Sequence, residues 1–140
     1  MEVQKKVESY LTKEFGQIVV ENNGWINIPY QTTIVTISCH DYEDSVVVRI
    51  SGLINRNCKF KKDIYEWMAK KNLELLFGNI THFETTDGNM TTIQCNLLGD
   101  DLDHSELTTA LLIAGLTADR LDEEFQSRFG GQRFIDGHAQ

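Results

Sequence analysis

Apolar residues recur along this chain with two different periods, and each change of period marks a new element. Val3, Val7, Tyr10 and Leu11 keep one helical face and predict a helix from Glu2 to Phe15, closed by Gly16. Ile18-Val19-Val20 reads as a strand and Asn22-Asn23-Gly24 as a turn. Trp25 to Ile28 forms the second arm, which is expected to end at Pro29. Val35, Ile37 and Cys39 alternate with Thr36 and Ser38, so a strand with one buried face is expected from Thr32 to His40. Asp41 to Asp44 supply the next turn. The β-branched run Val46 to Ile50 is dense enough for a central strand, with Gly52 and the polar stretch from Asn55 to Lys59 expected to end it.

Ile64, Trp67 and Met68 mark the inner face of a helix from Lys61 to Asn72. Strand character resumes at Leu75-Leu76-Phe77 and runs to Phe83. Asp87-Gly88-Asn89 then turns the chain into a partner strand, Met90 to Leu98. The clearest pattern comes last. Asp103 and Glu106 have the spacing of a capping box, and Leu107, Leu111, Ala114, Ala118, Leu121 and Phe125 hold one face until Gly130-Gly131 stop the helix. Leu112, Ile113 and Leu116 make the first half of that helix apolar nearly all round, so it needs cover on two sides. The expected fold class is α+β: an antiparallel sheet with helices packed on one face, in one domain over residues 1–131, followed by a flexible tail over 132–140.

A chain of 140 residues is long enough for one such core. Its net charge of −8 is uneven: residues 1–71 carry ten Lys/Arg against nine Asp/Glu, near +1, whereas residues 72–140 carry three against twelve, near −9. That surface repels phosphate backbones and anionic lipid, so neither nucleic acid nor membrane is expected as a partner. The amphipathic N-terminus lacks the roughly 7–15-residue apolar core of a signal peptide, and no stretch reaches the roughly 18 apolar residues of a membrane span. A cytoplasmic location is therefore expected. Cys39, Cys58 and Cys95 form no CxxC pair and fit reduced thiols; Cys39 and Cys95 fall on buried strand faces, which leaves Cys58, in a loop, as the one to test for reactivity.

Catalytic signatures are missing. His40, His82, His104 and His138 have no metal-site spacing, and the acidic group Asp100, Asp101, Asp103 and Glu106 reads as a turn leading into a capped helix. Asp119, Asp122, Glu123 and Glu124 read as a solvated helix face. No nucleophile elbow or glycine-rich phosphate loop occurs, so no catalytic residue, metal or cofactor is assigned.

Three segments, Leu75 to Asn79, Asn96 to Leu107, and Thr117 to Phe125 with Gly130-Gly131, resemble the YbjN-like branch of proteins with the type III secretion chaperone fold, described as peptide-binding chaperone domains. The resemblance covers about residues 60 to 131. It implies an α-β-β-β-α-β-β-α sandwich, usually homodimeric, that holds an extended peptide or partly unfolded segment without hydrolysing it. It transfers no binding residue. The expected function is thus non-enzymatic binding of a protein or peptide by a homodimer, by strand addition at a free sheet edge and by apolar pockets. Aromatic residues dominate such contacts, which makes Trp25, Tyr30, Tyr65 and Trp67 candidate wall residues, with core packing the competing reading. Leu112, Ile113 and Leu116 are the expected dimer or partner interface. The alternatives are a structural or regulatory subunit binding a folded protein, and a small-molecule enzyme.

Overall fold

A computed structural model describes residues 2–138, apart from the side chain of His138. Helix α1 (Val3–Phe15) buries Val3, Val7 and Leu11, as its spacing predicts, and Gly16 closes it at φ 77°. Strands β1 (Val19–Val20), β2 (Ile26–Tyr30), β3 (Thr33–Tyr42) and β4 (Ser45–Arg56) follow, then helix α2 (Lys62–Glu74), strands β5 (Asn79–Thr85) and β6 (Gly88–Leu98), helix α3 (His104–Phe129) and the short α4 (Phe134–His138). All neighbouring strands are antiparallel, in the order β1-β2-β3-β4-β6-β5.

Four boundaries depart from the sequence expectation. Strand β2 runs through Pro29, which pairs with Ile34; this strand lies next to the edge, and beyond Asn27 no described strand covers its outer side. Strand β3 continues to Tyr42, so the turn shrinks to Glu43-Asp44, with Glu43 at φ 54°. Strand β5 starts at Asn79 rather than Leu75, because Leu75 caps α2. Strand β4 does not stop at Gly52: it continues to Arg56 through a register shift between Leu53 and Asn55. Such a bulge bends the strand and increases its twist. The Thr33 hydroxyl donates to the Leu53 carbonyl at this point.

Gly52 is where the two layers meet. A Cβ there would lie 2.8 Å from the Ala114 carbonyl oxygen, 2.9 Å from Ile93 Cγ2 and 3.0 Å from the Ala118 Cβ. Ala110, Ala114, Gly115 and Ala118 on α3 leave the space that lets the helix lie so close. Gly115 in turn lies under the Tyr30 ring, 2.7 Å from where its Cβ would be. Val35, Ile37, Val48, Ile50, Ile93 and Cys95 fill the sheet side of the core. Further along, α3 turns aromatic. Phe125 and Phe129 stack against each other and against Trp67 of α2, with ring centroids 5.0 to 6.0 Å apart. Trp67 Nε1 donates to Glu124 at 2.6 Å and Lys71 Nζ donates to its other oxygen at 3.1 Å. Burial raises the Glu124 pKa, but these donors outweigh it and hold the carboxyl below the usual range. The capping box at Asp103 and Glu106 is present as the spacing predicts.

A polar junction ties the start of β3 to α3 and to the chain beyond Gly131. Arg56 and Gln132 exchange two main-chain hydrogen bonds of 2.9 Å, and the Ile135 N–H donates to the Thr32 carbonyl at 3.2 Å. Thr32 Oγ1 lies 2.5 Å from Asp119 Oδ1 and 2.5 Å from Asp122 Oδ2. One hydroxyl has one hydrogen to give, so the second contact needs a proton on a carboxyl. Asp119 also accepts the Thr32 N–H at 3.2 Å, whereas Asp122 is only 1% exposed. Of the two carboxyls Asp122 is thus the more deeply buried. Burial pushes its carboxyl above the ordinary aspartate value, opposed by Thr32 and Arg133 and reinforced by Asp119. Asp119 and Asp122, read from sequence as a solvated face, are structural instead.

Two outcomes follow from this packing. Gly52→Ala should lower stability by about 1–3 kcal/mol in urea denaturation, since the added methyl has no room between β4 and α3. Folding raises the Asp122 pKa, so its neutral form is favoured relative to the unfolded chain. Its contribution is complete below the unfolded value of about 3.9 and is lost as pH rises through the higher folded value. Asp122→Asn should therefore match the parent in melting temperature near pH 4 and exceed it at pH 8; a variant less stable at both values would contradict the raised pKa.

Candidate functional site

All the helices lie on one face of the sheet, and the other face is uncovered. There the strands curl into a groove of about 490 Å³, whose lining comes from strands and from the β1–β2 segment with no helical residue. Its shape follows from the bulge and from the twist of six strands. Leu53, Ser38 and Thr92 are buried although no helix covers them, because the curled sheet encloses them.

The groove changes character along the strands. One end is apolar: Ile34, Leu53, Phe83 and Met90, with Phe83 and Met90 directly paired. The middle is a polar row across four strands, Asn27–Thr36–Ser51–Gln94, in which Thr36 Oγ1 donates to Asn27 Oδ1 at 2.7 Å. The far end holds Ser38, His40 and Arg49, flanked by Trp25, whose ring meets His40 edge-on at 6.5 Å. Arg49 Nε donates to Asn96 Oδ1 at 3.0 Å.

The expected wall residues do not share this surface. Trp25 lies on it, 42% exposed. Tyr30 points to the helix side, against Gly115. Tyr65 stands exposed on α2 beside Phe60 and His82. Trp67, 3% exposed, is part of the core. The residues that sequence reasoning passed over are Ile34, Leu53, Phe83 and Met90. Their signal was an apolar side chain on the polar side of a strand alternation.

Leu112 and Leu116, 43% and 37% exposed, stand on the outer side of α3. Ile113 is half-buried and lines a shallow groove of about 310 Å³ with Phe77 and Leu97.

Both sheet edges are blunted. Strand β1 has two residues, and Pro29 on β2 has no N–H to offer. On the other side Asn72 of α2 clamps β5: it accepts the Ile80 N–H at 2.7 Å and donates to the Ile80 carbonyl at 3.3 Å. On β6 the outer side from Cys95 to Leu98 is also left without a strand, since β5 begins opposite Gln94.

The reactive groups stay unassembled. Ser38 Oγ and His40 Nε2 are 2.7 Å apart, but among the described residues no carboxylate orients the imidazole as catalysis at serine requires. Cys58 is buried rather than available in a loop, and burial raises its thiol against the opposing pull of Lys61. Burial pushes Cys39 and Cys95 to about 11. Among the described residues no three His, Cys, Asp or Glu side chains gather for a metal, and no helix is long and apolar enough to cross a membrane.

The chain is thus an α+β domain with one sheet face packed under helices and one open concave face that is apolar at one end. The model of the T3SS (YopN, CesT) and YbjN peptide-binding chaperone family matches residues 1–137, and the chain belongs to that family. Among solved structures, E. coli YbjN aligns with a TM-score of 0.71 at 9% identity, over 92% of this chain and 96% of that one. The HopA1–SchA chaperone–effector complex gives 0.61 at 15%, over 86% and 92%. The Yersinia pestis type III secretion chaperone SycH, solved with a fragment of YscM2, gives 0.57 at 15%, over 86% and 99%. No curated protein matches the sequence. At these identities the structures establish the fold.

Proposed function

We propose that this chain holds an extended polypeptide segment in the open concave face of its sheet, without chemistry, and that it acts in the cytoplasm as a homodimer joined through the outer side of α3. The observation that carries the first part is the uncovered 490 Å³ groove with its apolar end at Ile34, Leu53, Phe83 and Met90, in a member of a peptide-binding chaperone family. Strand addition, the other way to take an extended chain, has little room here. One edge strand is two residues long, and on the other Asn72 occupies the outer side at Ile80, leaving a short stretch from His82 to Thr85. Leu112 and Leu116, exposed on one face of α3 beside the half-buried Ile113, support the dimer, because apolar side chains clustered at a surface are stabilised by a partner. YbjN is named as a candidate transcription regulator; a net charge of −8 speaks against direct DNA contact by this chain.

The probe for the groove is a permanently unfolded polypeptide without tryptophan, reduced and carboxymethylated pancreatic ribonuclease A. Binding should shift the tryptophan emission through Trp25, and Trp25→Phe should remove the shift. Phe83→Ser, a change at a half-exposed site, should weaken binding with circular dichroism unchanged. No complex at micromolar concentration would sink the reading. Sedimentation should find a dimer for the parent and a monomer for Leu112→Glu with Leu116→Glu; a monomeric parent would remove the dimer from the account.

A further inference from the structure

We infer that the groove selects a segment in which an acidic residue lies four positions from an apolar one, the carboxylate meeting Arg49 and the apolar side chain settling over Leu53. This rests on the reading of the groove as a polypeptide site. Leu53, Ser51 and Arg49 are successive residues on the open face of β4, so Leu53 and Arg49 stand about 13 Å apart, four residues of extended chain. A segment lying along β4 presents every second side chain to the groove at the same spacing. Its side chain over Leu53 meets Ile34, Phe83 and Met90, and the one over Arg49 meets a guanidinium.

Arg49 uses Nε on Asn96, which fixes the plane of the guanidinium. Its remaining N–H donors have no partner among the described residues, and no carboxylate pairs with it. In a chain with 21 acidic residues, that leaves a cation with no anion of its own. Glu21, the one acid among the groove's lining residues, sits on the rim outside β2, with β2 and β3 between it and β4, and forms no ion pair with Arg49. A guanidinium held in one plane suits a carboxylate, which can take two parallel N–H donors.

The test uses three fluorescein-labelled peptides of about twelve residues, rich in Thr and Ser. Each carries one Phe and, four residues on, Asp, Asn or Lys. The parent protein should bind the Asp peptide about five- to tenfold more tightly than the Asn peptide, as a charge-assisted hydrogen bond provides. Arg49→Gln should erase that difference, and Arg49→Glu should reverse the order in favour of Lys. Moving Asp to three residues from Phe should cancel the gain, since it then points away from the groove. Equal binding of all three peptides by the parent and by Arg49→Glu would overturn the inference and leave the groove reading standing. No binding of any peptide by the parent, together with no complex with the unfolded probe, would remove both.

Discussion

The close approach of α3 to β4 at Gly52 sets the geometry of this domain. The helix can lie on the sheet only because a glycine on the strand faces alanines on the helix, with a 2.8 Å limit at the Ala114 carbonyl. Packing at that density fixes the height and direction of the helix and carries Gly115 under Tyr30. It also brings Phe125 and Phe129 to Trp67, so the same helix anchors α2. The junction of Thr32 with Asp119 and Asp122 ties α3 to the start of β3.

One consequence is a sheet with two unlike faces. Because every helix lies on one side, the apolar strand positions Val35, Ile37, Val48, Ile50 and Ile93 are buried by them. The opposite positions are left to water and to any bound chain. That second face is concave because β4 bulges after Leu53 and the sheet twists around it. With Pro29 on one edge and the Asn72 clamp at Ile80 on the other, the open face offers an extended partner a groove of about 490 Å³.

The sequence made the local elements legible where the cause was local. The capping box at Asp103, the stop at Gly130 and the face of α1 needed no distant residue. It misled where the cause was remote. Gly52 read as the end of a strand, but it is the place where a helix some sixty residues later lies close. Pro29 read as a stop, yet beyond Asn27 β2 has no outer strand among the described residues, and such a strand tolerates a missing donor. Trp67 read as a possible binding aromatic because nothing nearby showed that Phe125 and Phe129 would enclose it. The groove was hidden for the same reason. Ile34 and Leu53 meet in one hairpin and Phe83 and Met90 in another, and only the pairing of β4 with β6 brings the two together. The family resemblance located the class of function without locating a residue.

The claim that the open face is the binding surface is tested most directly by methyl and backbone NMR of the protein titrated with an unfolded polypeptide. The account predicts shifts concentrated at Ile34, Leu53, Met90, Thr36 and Gln94, with the α3 methyls of Leu107 and Leu111 unmoved. Shifts confined to the helical face, or to the unpaired stretch of β6 from Cys95 to Leu98, would contradict it.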